Sequence, residues 1–122
     1  MLLKDFYTVE NTTKEGDMYS TRLHINKEHE LYKGHFPERP VTPGVILMQL
    51  FKEEAERISG KELQLQKATN VKFTSVVDPN QDDHLILNSH ITEDSLGISL
   101  KGTAENNNVI SLKINAFYKI IS

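Results

Sequence analysis

The stretch from Tyr32 to Gly44, YKGHFPERPVTPG, sets His35 among prolines, with Pro37, Pro40 and Pro43 recurring at every third residue. An unperturbed histidine titrates near working pH, which suits it to take a proton and to pass it on. Each proline fixes its own φ and biases the residue before it toward extended geometry, so Phe36, Arg39 and Thr42 are expected to be extended. His35 then stands on a stiff support, which a positioned base needs. The same proline spacing also suits a polyproline II ligand, but such ligands usually lie in exposed tails, and this stretch runs directly into the most apolar segment of the chain. From spacing alone a plain structural loop stays as open as a functional site, because one histidine beside prolines proves little.

The remaining chemistry is sparse. His24, His29, His84 and His90 show no helical ligand pair of the H-E-x-x-H kind, and cysteine is absent, so no metal and no cofactor are expected. The lack of cysteine also removes disulfides and thiol nucleophiles and fits a reducing compartment. No G-x-S-x-G elbow supports a serine hydrolase. A formal charge of −3 argues against nucleic acid as a partner, since phosphate binding normally leaves a basic footprint. Lys4, Asp5 and Glu10 interrupt the N-terminal apolar residues too early for a signal-peptide core, and no stretch is apolar enough to span a membrane, so a cytoplasmic location is expected.

The elements that must position His35 follow from periodicity. With 122 residues, 38% of them hydrophobic and 25% charged, residues 1–122 are expected to form one globular domain. Asp5 to Val9 and Met18 to Ile25 read as the strands of a first hairpin, with Asn11 to Asp17 as the turn. From Val45 to Ile58 the apolar residues suit a helix whose first two turns are greasy nearly all round. Lys52, Glu53, Glu54, Glu56 and Arg57 mark its second half as emerging into solvent. Thr42 is expected to cap it, Pro43 to take the first helical position and Gly60 to end it. Four strand-like stretches follow, Leu63 to Val77, His84 to Thr92, Gly97 to Ala104 and Val109 to Ile120, with Asn106 to Asn108 turning the last hairpin. The sum is an α+β domain in which a curved antiparallel sheet wraps one central helix.

Two segments carry a family resemblance. GHFPERPVTPGVILMQ, Gly34 to Gln49, resembles the signature of the 3-hydroxyacyl-ACP dehydratases of fatty-acid synthesis, and NVKFTSVVDPNQ, Asn70 to Gln81, resembles that family's strand and turn after the helix. The resemblance covers most of the chain from residue 32 onward and implies a hot-dog fold. It implies dehydration of a 3-hydroxyacyl thioester, carried on acyl carrier protein, to a 2-enoyl thioester. His35 corresponds to the family's catalytic base, and Gly44, Val45 and Phe36 to its substrate-binding positions. The Gly44 N–H, at the amino end of the helix, would bind the thioester carbonyl as an oxyanion donor.

In such enzymes two chains pair, and each site joins the histidine of one subunit to a helix carboxylate of the other. Here that helix position, fourteen residues after His35, holds Gln49. An amide holds a hydroxyl or a water by hydrogen bonds but cannot donate a proton as a carboxylic acid does. Three repairs follow: His35 serves as both base and acid, Glu53 one turn beyond Gln49 replaces the acid, or a paralogue supplies the carboxylate in a heterodimer. Glu53 reads more readily as a solvated surface carboxylate. The alternative functions are therefore an acyl-binding or heterodimer-partner protein without catalysis of its own and, ranked last, an acyl thioesterase. Lys33, Arg39, Lys52, Arg57 and Lys72 suggest a basic rim for an acidic carrier protein, though scattered cations more often form a solvated face.

Overall fold

The first hairpin is longer than its sequence suggests. In the computed structural model, which describes residues 5–33 and 42–122, β1 runs Tyr7–Glu15 and β2 runs Met18–Ile25. The polar stretch expected to form the turn is strand instead, because Thr12 and Thr13 pair with Thr21 and Ser20, and only Gly16 and Asp17 make the reversal. Gly16 supplies the left-handed φ of +61° that a two-residue hairpin loop needs. β1 lies at the edge of the sheet with most of its side chains in water, so its composition lacks the apolar alternation of an inner strand.

A short helix, α1 (Glu30–Lys33), precedes the main helix, α2 (Gly44–Ser59). The start of α2 differs from expectation. Pro43 is the N-cap residue, with φ −60° and ψ 148°, and among the described residues no side chain caps the helix. Thr42 cannot do so because its hydroxyl is shared with the Tyr32 phenol at 2.8 Å and its N–H donates to the Val77 carbonyl at 2.9 Å. The other end is as expected: Gly60 adopts φ +71° and donates its N–H to the Glu56 carbonyl at 2.8 Å.

After α2 come β3 (Leu63–Phe73), β4 (His84–Glu93), β5 (Ile98–Asn106) and β6 (Val109–Ile120). All neighbours are antiparallel in one six-stranded sheet of order β1-β2-β4-β5-β6-β3. β3 stops at Phe73, and Val77 makes only an isolated bridge to Thr42. Asn107 and Asn108, both with positive φ, turn the β5–β6 hairpin as expected. Register shifts in β1 and β3 and between β5 and β6 bend the sheet.

The inner face of the curved sheet closes on α2 in a hot-dog arrangement. Leu47, Leu50, Phe51 and Ala55 of the helix join Leu23, Leu87, Leu100, Leu112 and Ile114 of the strands in one apolar core. Burying each such side chain contributes about 1.5–3 kcal/mol. Phe51 lies so close to β5 that a Cβ on Gly102 would come within 2.6 Å of its ring. Among the described residues no helix is long and apolar enough to cross a membrane, which leaves aside crossing by strands.

Candidate active site

The helix that carries Gly44, Val45 and Gln49 presents its faces in a different order from the one its composition suggests. Glu53 and Glu54, expected in solvent, are 9% and 3% exposed, whereas Val45 in the greasy first turn is 70% exposed. The reason is long-range. Tyr7, at the start of β1, lays its phenol against this part of α2 and donates to Glu54 Oε2 at 2.9 Å, with Glu53 Oε1 farther off at 3.4 Å. A phenol has one proton to give, so the shorter contact is the effective hydrogen bond. Burial first, then the Glu54 carboxylate, hold the Tyr7 phenol well above its ordinary 10.0. Arg57 donates to Glu54 Oε1 at 2.8 Å and to Thr12 Oγ1 of β1 at 2.6 Å, which closes the network across the helix.

Gln49 belongs to the same network. Its Nε2 donates to Glu53 Oε2 at 3.1 Å, the i to i+4 pair of one helix face. A carboxylate only accepts, so the amide nitrogen must face Glu53 and the carbonyl Oε1 must face away from it. Gln49 also lines a cleft of about 210 Å³ with Val45, Met48 and Lys52 of α2, Leu65 of β3 and Ile114 of β6. Its walls are mostly apolar side chains, as an acyl group requires.

Gly44 begins α2, where helix geometry leaves the first N–H groups without an intrahelical acceptor. Its lack of a side chain has a visible packing reason as well, since a Cβ there would collide with the ring of Phe73. Of the residues the sequence singles out, Val45 and Gln49 therefore share one cleft, and Gly44 sits at the same end of the helix under Phe73. His35, Phe36 and Arg39 lie outside the described residues. Tyr7, Glu54 and Phe73 were not anticipated. The tyrosine among polar residues at the head of β1 was the available sign, but nothing local says that it covers two helix carboxylates.

Residues 11–113 match the ApeI-like family, described as ApeI dehydratase. The chain belongs to the ApeI-like dehydratase family. The chain is similar to the FabZ dehydratase of Lactobacillus helveticus, 30% identical over 84 residues that cover 63% of this chain and 54% of that one. It is also similar to the FabZ dehydratase of Wolbachia pipientis wMel, 33% identical over 72 residues, 53% of this chain and 49% of that one. It thus spans about half the length of the curated relatives it matches. In fold it resembles a chain of the dehydratase heterocomplex ApeI:P from Xenorhabdus doucetiae, with TM-score 0.77 and 16% identity over 92% of this chain and 96% of that one. A hypothetical thioesterase with coenzyme A from Streptococcus pneumoniae shares the fold at TM-score 0.66 and 12% identity, over 95% of this chain and 86% of that one. The family and fold expected from the Gly34 to Gln49 segment are thereby established, and the enzyme class at family level is that of a lyase.

Proposed function

We propose that the protein removes water from a 3-hydroxyacyl thioester, carried on acyl carrier protein, to give the 2-enoyl thioester. The observation that carries this reading is the apolar cleft beside α2 that Val45 and Gln49 line together. In the proposed reaction the His35 imidazole takes the proton α to the thioester, and the Gly44 N–H holds the carbonyl oxygen as negative charge gathers there. The C–O bond to the 3-hydroxyl breaks as the double bond forms, and the proton on His35 passes to the departing oxygen, which leaves as water. One of the two Gln49 N–H bonds is given to Glu53, which turns Oε1 away from that carboxylate, and Oε1 accepts a hydrogen bond from the 3-hydroxyl and orients it without protonating it. One histidine then serves as base and acid.

Two chains are proposed to pair along β3, as a homodimer or with a paralogue. Among the described residues β3 is a sheet edge with unpaired backbone, and Leu65 and Phe73 on it, with Val76 just beyond and Val45 on α2, are exposed apolar side chains. A second reading, a partner subunit without independent turnover, is favoured by the same Gln49–Glu53 bond, because that bond leaves no acid at the helix position. The thioesterase reading loses ground, since Glu53 is tied to Gln49 rather than open to water.

The test is purified protein with 3-hydroxyacyl-ACP of several chain lengths, followed for enoyl product and for free acid. Enoyl product that falls at least about 100-fold in His35→Ala supports the dehydratase with this base. No turnover alone, but turnover on mixing with a paralogue, supports the partner reading. Free acid as the main product would reject both.

A further inference from the structure

Two histidines that sequence spacing keeps far apart meet on the outer face of the sheet. His24, near the end of β2, stands directly opposite His84 at the start of β4, and their rings are 5.2 Å apart between centroids. Their neighbours Leu23 and Leu85 point into the core, so strand alternation turns both imidazoles outward. The Asp83 carboxylate lies between them. Its Oδ2 is 3.0 Å from His24 Nε2 and its Oδ1 is 3.2 Å from His84 Nδ1. One ligand atom from each of the three residues lies within 4.8 Å of the other two.

We propose that His24, His84 and Asp83 form a binding site for a borderline divalent cation of the zinc type. Two imidazole nitrogens and one carboxylate oxygen suit Zn²⁺, Ni²⁺ or Co²⁺ better than Mg²⁺ or Ca²⁺, which prefer all-oxygen shells. Metal–ligand lengths of about 2.0–2.1 Å on a tetrahedron separate the ligand atoms by about 3.3–3.4 Å. The spacings from His24 and His84 run to different oxygens of Asp83, and with one ligand atom per residue the three lie within 4.8 Å, so side-chain rotations must draw them together on the cation.

Three further features favour a prepared site. Glu10 Oε2 lies 3.3 Å from His84 Nε2, so a neutral His84 that donates there offers its Nδ1 lone pair to the cation. The backbone under the ligands is tied down: the Ile25 N–H donates to the Asp83 carbonyl at 2.7 Å, and Asn106 Nδ2 donates to the carbonyls of Asp82 and His84 at 2.8 and 2.9 Å. Asp82 adds negative charge without joining the ligand set. Its Oδ1 accepts the His84 N–H at 3.0 Å and its Oδ2 the Asn107 N–H at 2.9 Å, so it builds the turn. Three protein ligands leave a fourth position for water or an external donor. The cation would clip the end of β2 to the segment that enters β4, independently of the acyl cleft.

The test uses the full chain stripped with a chelator, titrated calorimetrically with ZnCl₂ and, as control, MgCl₂. One Zn²⁺ per chain and no Mg²⁺ uptake are expected. At zinc 100-fold above its dissociation constant, the folding equilibrium should rise about 100-fold. His24→Gln and His84→Gln should each weaken binding at least about tenfold, and Glu10→Gln by less. In the unmutated chain, the ring resonances of His24 and His84 should move with zinc while those of His29 and His90 stay. This last measurement decides the matter even if a variant fails to fold. No binding at millimolar zinc, binding kept in the His24→Gln/His84→Gln double variant, or shifts confined to His29 or His90 would overturn the site.

Discussion

Replacing Gln49 by glutamate would place a carboxylate where the family carries one, and the geometry says what that costs. The Gln49 Nε2 to Glu53 Oε2 hydrogen bond at 3.1 Å becomes a contact between two carboxylate oxygens, with charge centres about 4 Å apart. At an effective dielectric constant near 20 that is about 4 kcal/mol of repulsion. The pair escapes part of it by keeping a proton, which raises a carboxyl pKa in the folded state above the unfolded value of about 4.3, and each unit is worth about 1.4 kcal/mol. A group whose charged form is disfavoured by folding destabilises above its folded pKa, and the deficit fades as pH falls toward the unfolded value. Gln49→Glu should therefore lose about 2–3 kcal/mol relative to the parent at pH 8 and under about 0.5 kcal/mol near pH 4.5. Urea unfolding at the two pH values measures this. The double variant Gln49→Glu/Glu53→Gln restores one donor and one acceptor and should recover all but about 1 kcal/mol. In a dehydratase assay the single variant, carrying a shared proton beside the substrate, should exceed the parent in turnover, most clearly below neutral pH. A Gln49→Glu protein as stable as the parent at pH 8, or equally weakened at both pH values, would refute the paired-carboxylate argument.

Other outcomes follow from single contacts. Gly102→Ala sets a Cβ 2.6 Å from the Phe51 ring and 3.2 Å from the Asn88 carbonyl, so chemical denaturation should show a loss of about 1–3 kcal/mol. In Gly44→Ala the three atoms nearest the new Cβ all belong to the Phe73 ring, which is 54% exposed, so if the ring gives way the cost should stay under about 1 kcal/mol and should shrink further in a Phe73→Ala background. Burial raises the phenols of Tyr7, Tyr32 and Tyr118 above 10.0, so phenolate absorbance should appear later than in the unfolded chain. The native state then holds protons that the unfolded state releases, and stability should fall as pH rises past 10.

Much of this fold can be read from local pattern. The alternation through Ile110, Leu112, Ile114 and Ala116 marks β6, and Pro43 and Gly60 bracket α2 to within a residue or two. What escapes is whatever a distant element decides. β1 hides in polar residues because it is an edge whose threonines pair with β2 while facing water. Glu53 and Glu54 look like solvent-facing helix charges until Tyr7 is known to cover them, and no period of α2 contains Tyr7. His24 and His84 become neighbours only through the β2–β4 register.

The same distance effect changes the meaning of Gln49. Taken alone, it is a missing acid. Beside Glu53 it is one half of a matched pair, an amide donor facing a carboxylate that β1 has helped remove from water. An unpartnered buried carboxylate is costly, so Glu53 gains from a donor one turn back, and a second carboxylate at position 49 would leave both without one wherever the pair is fully ionised. The substitution at 49 and the burial at 53 thus belong together. Restoring a helix carboxylate within this chain without that loss of stability calls for changing both residues, whereas a paired subunit that brings its own carboxylate to the cleft requires neither to change.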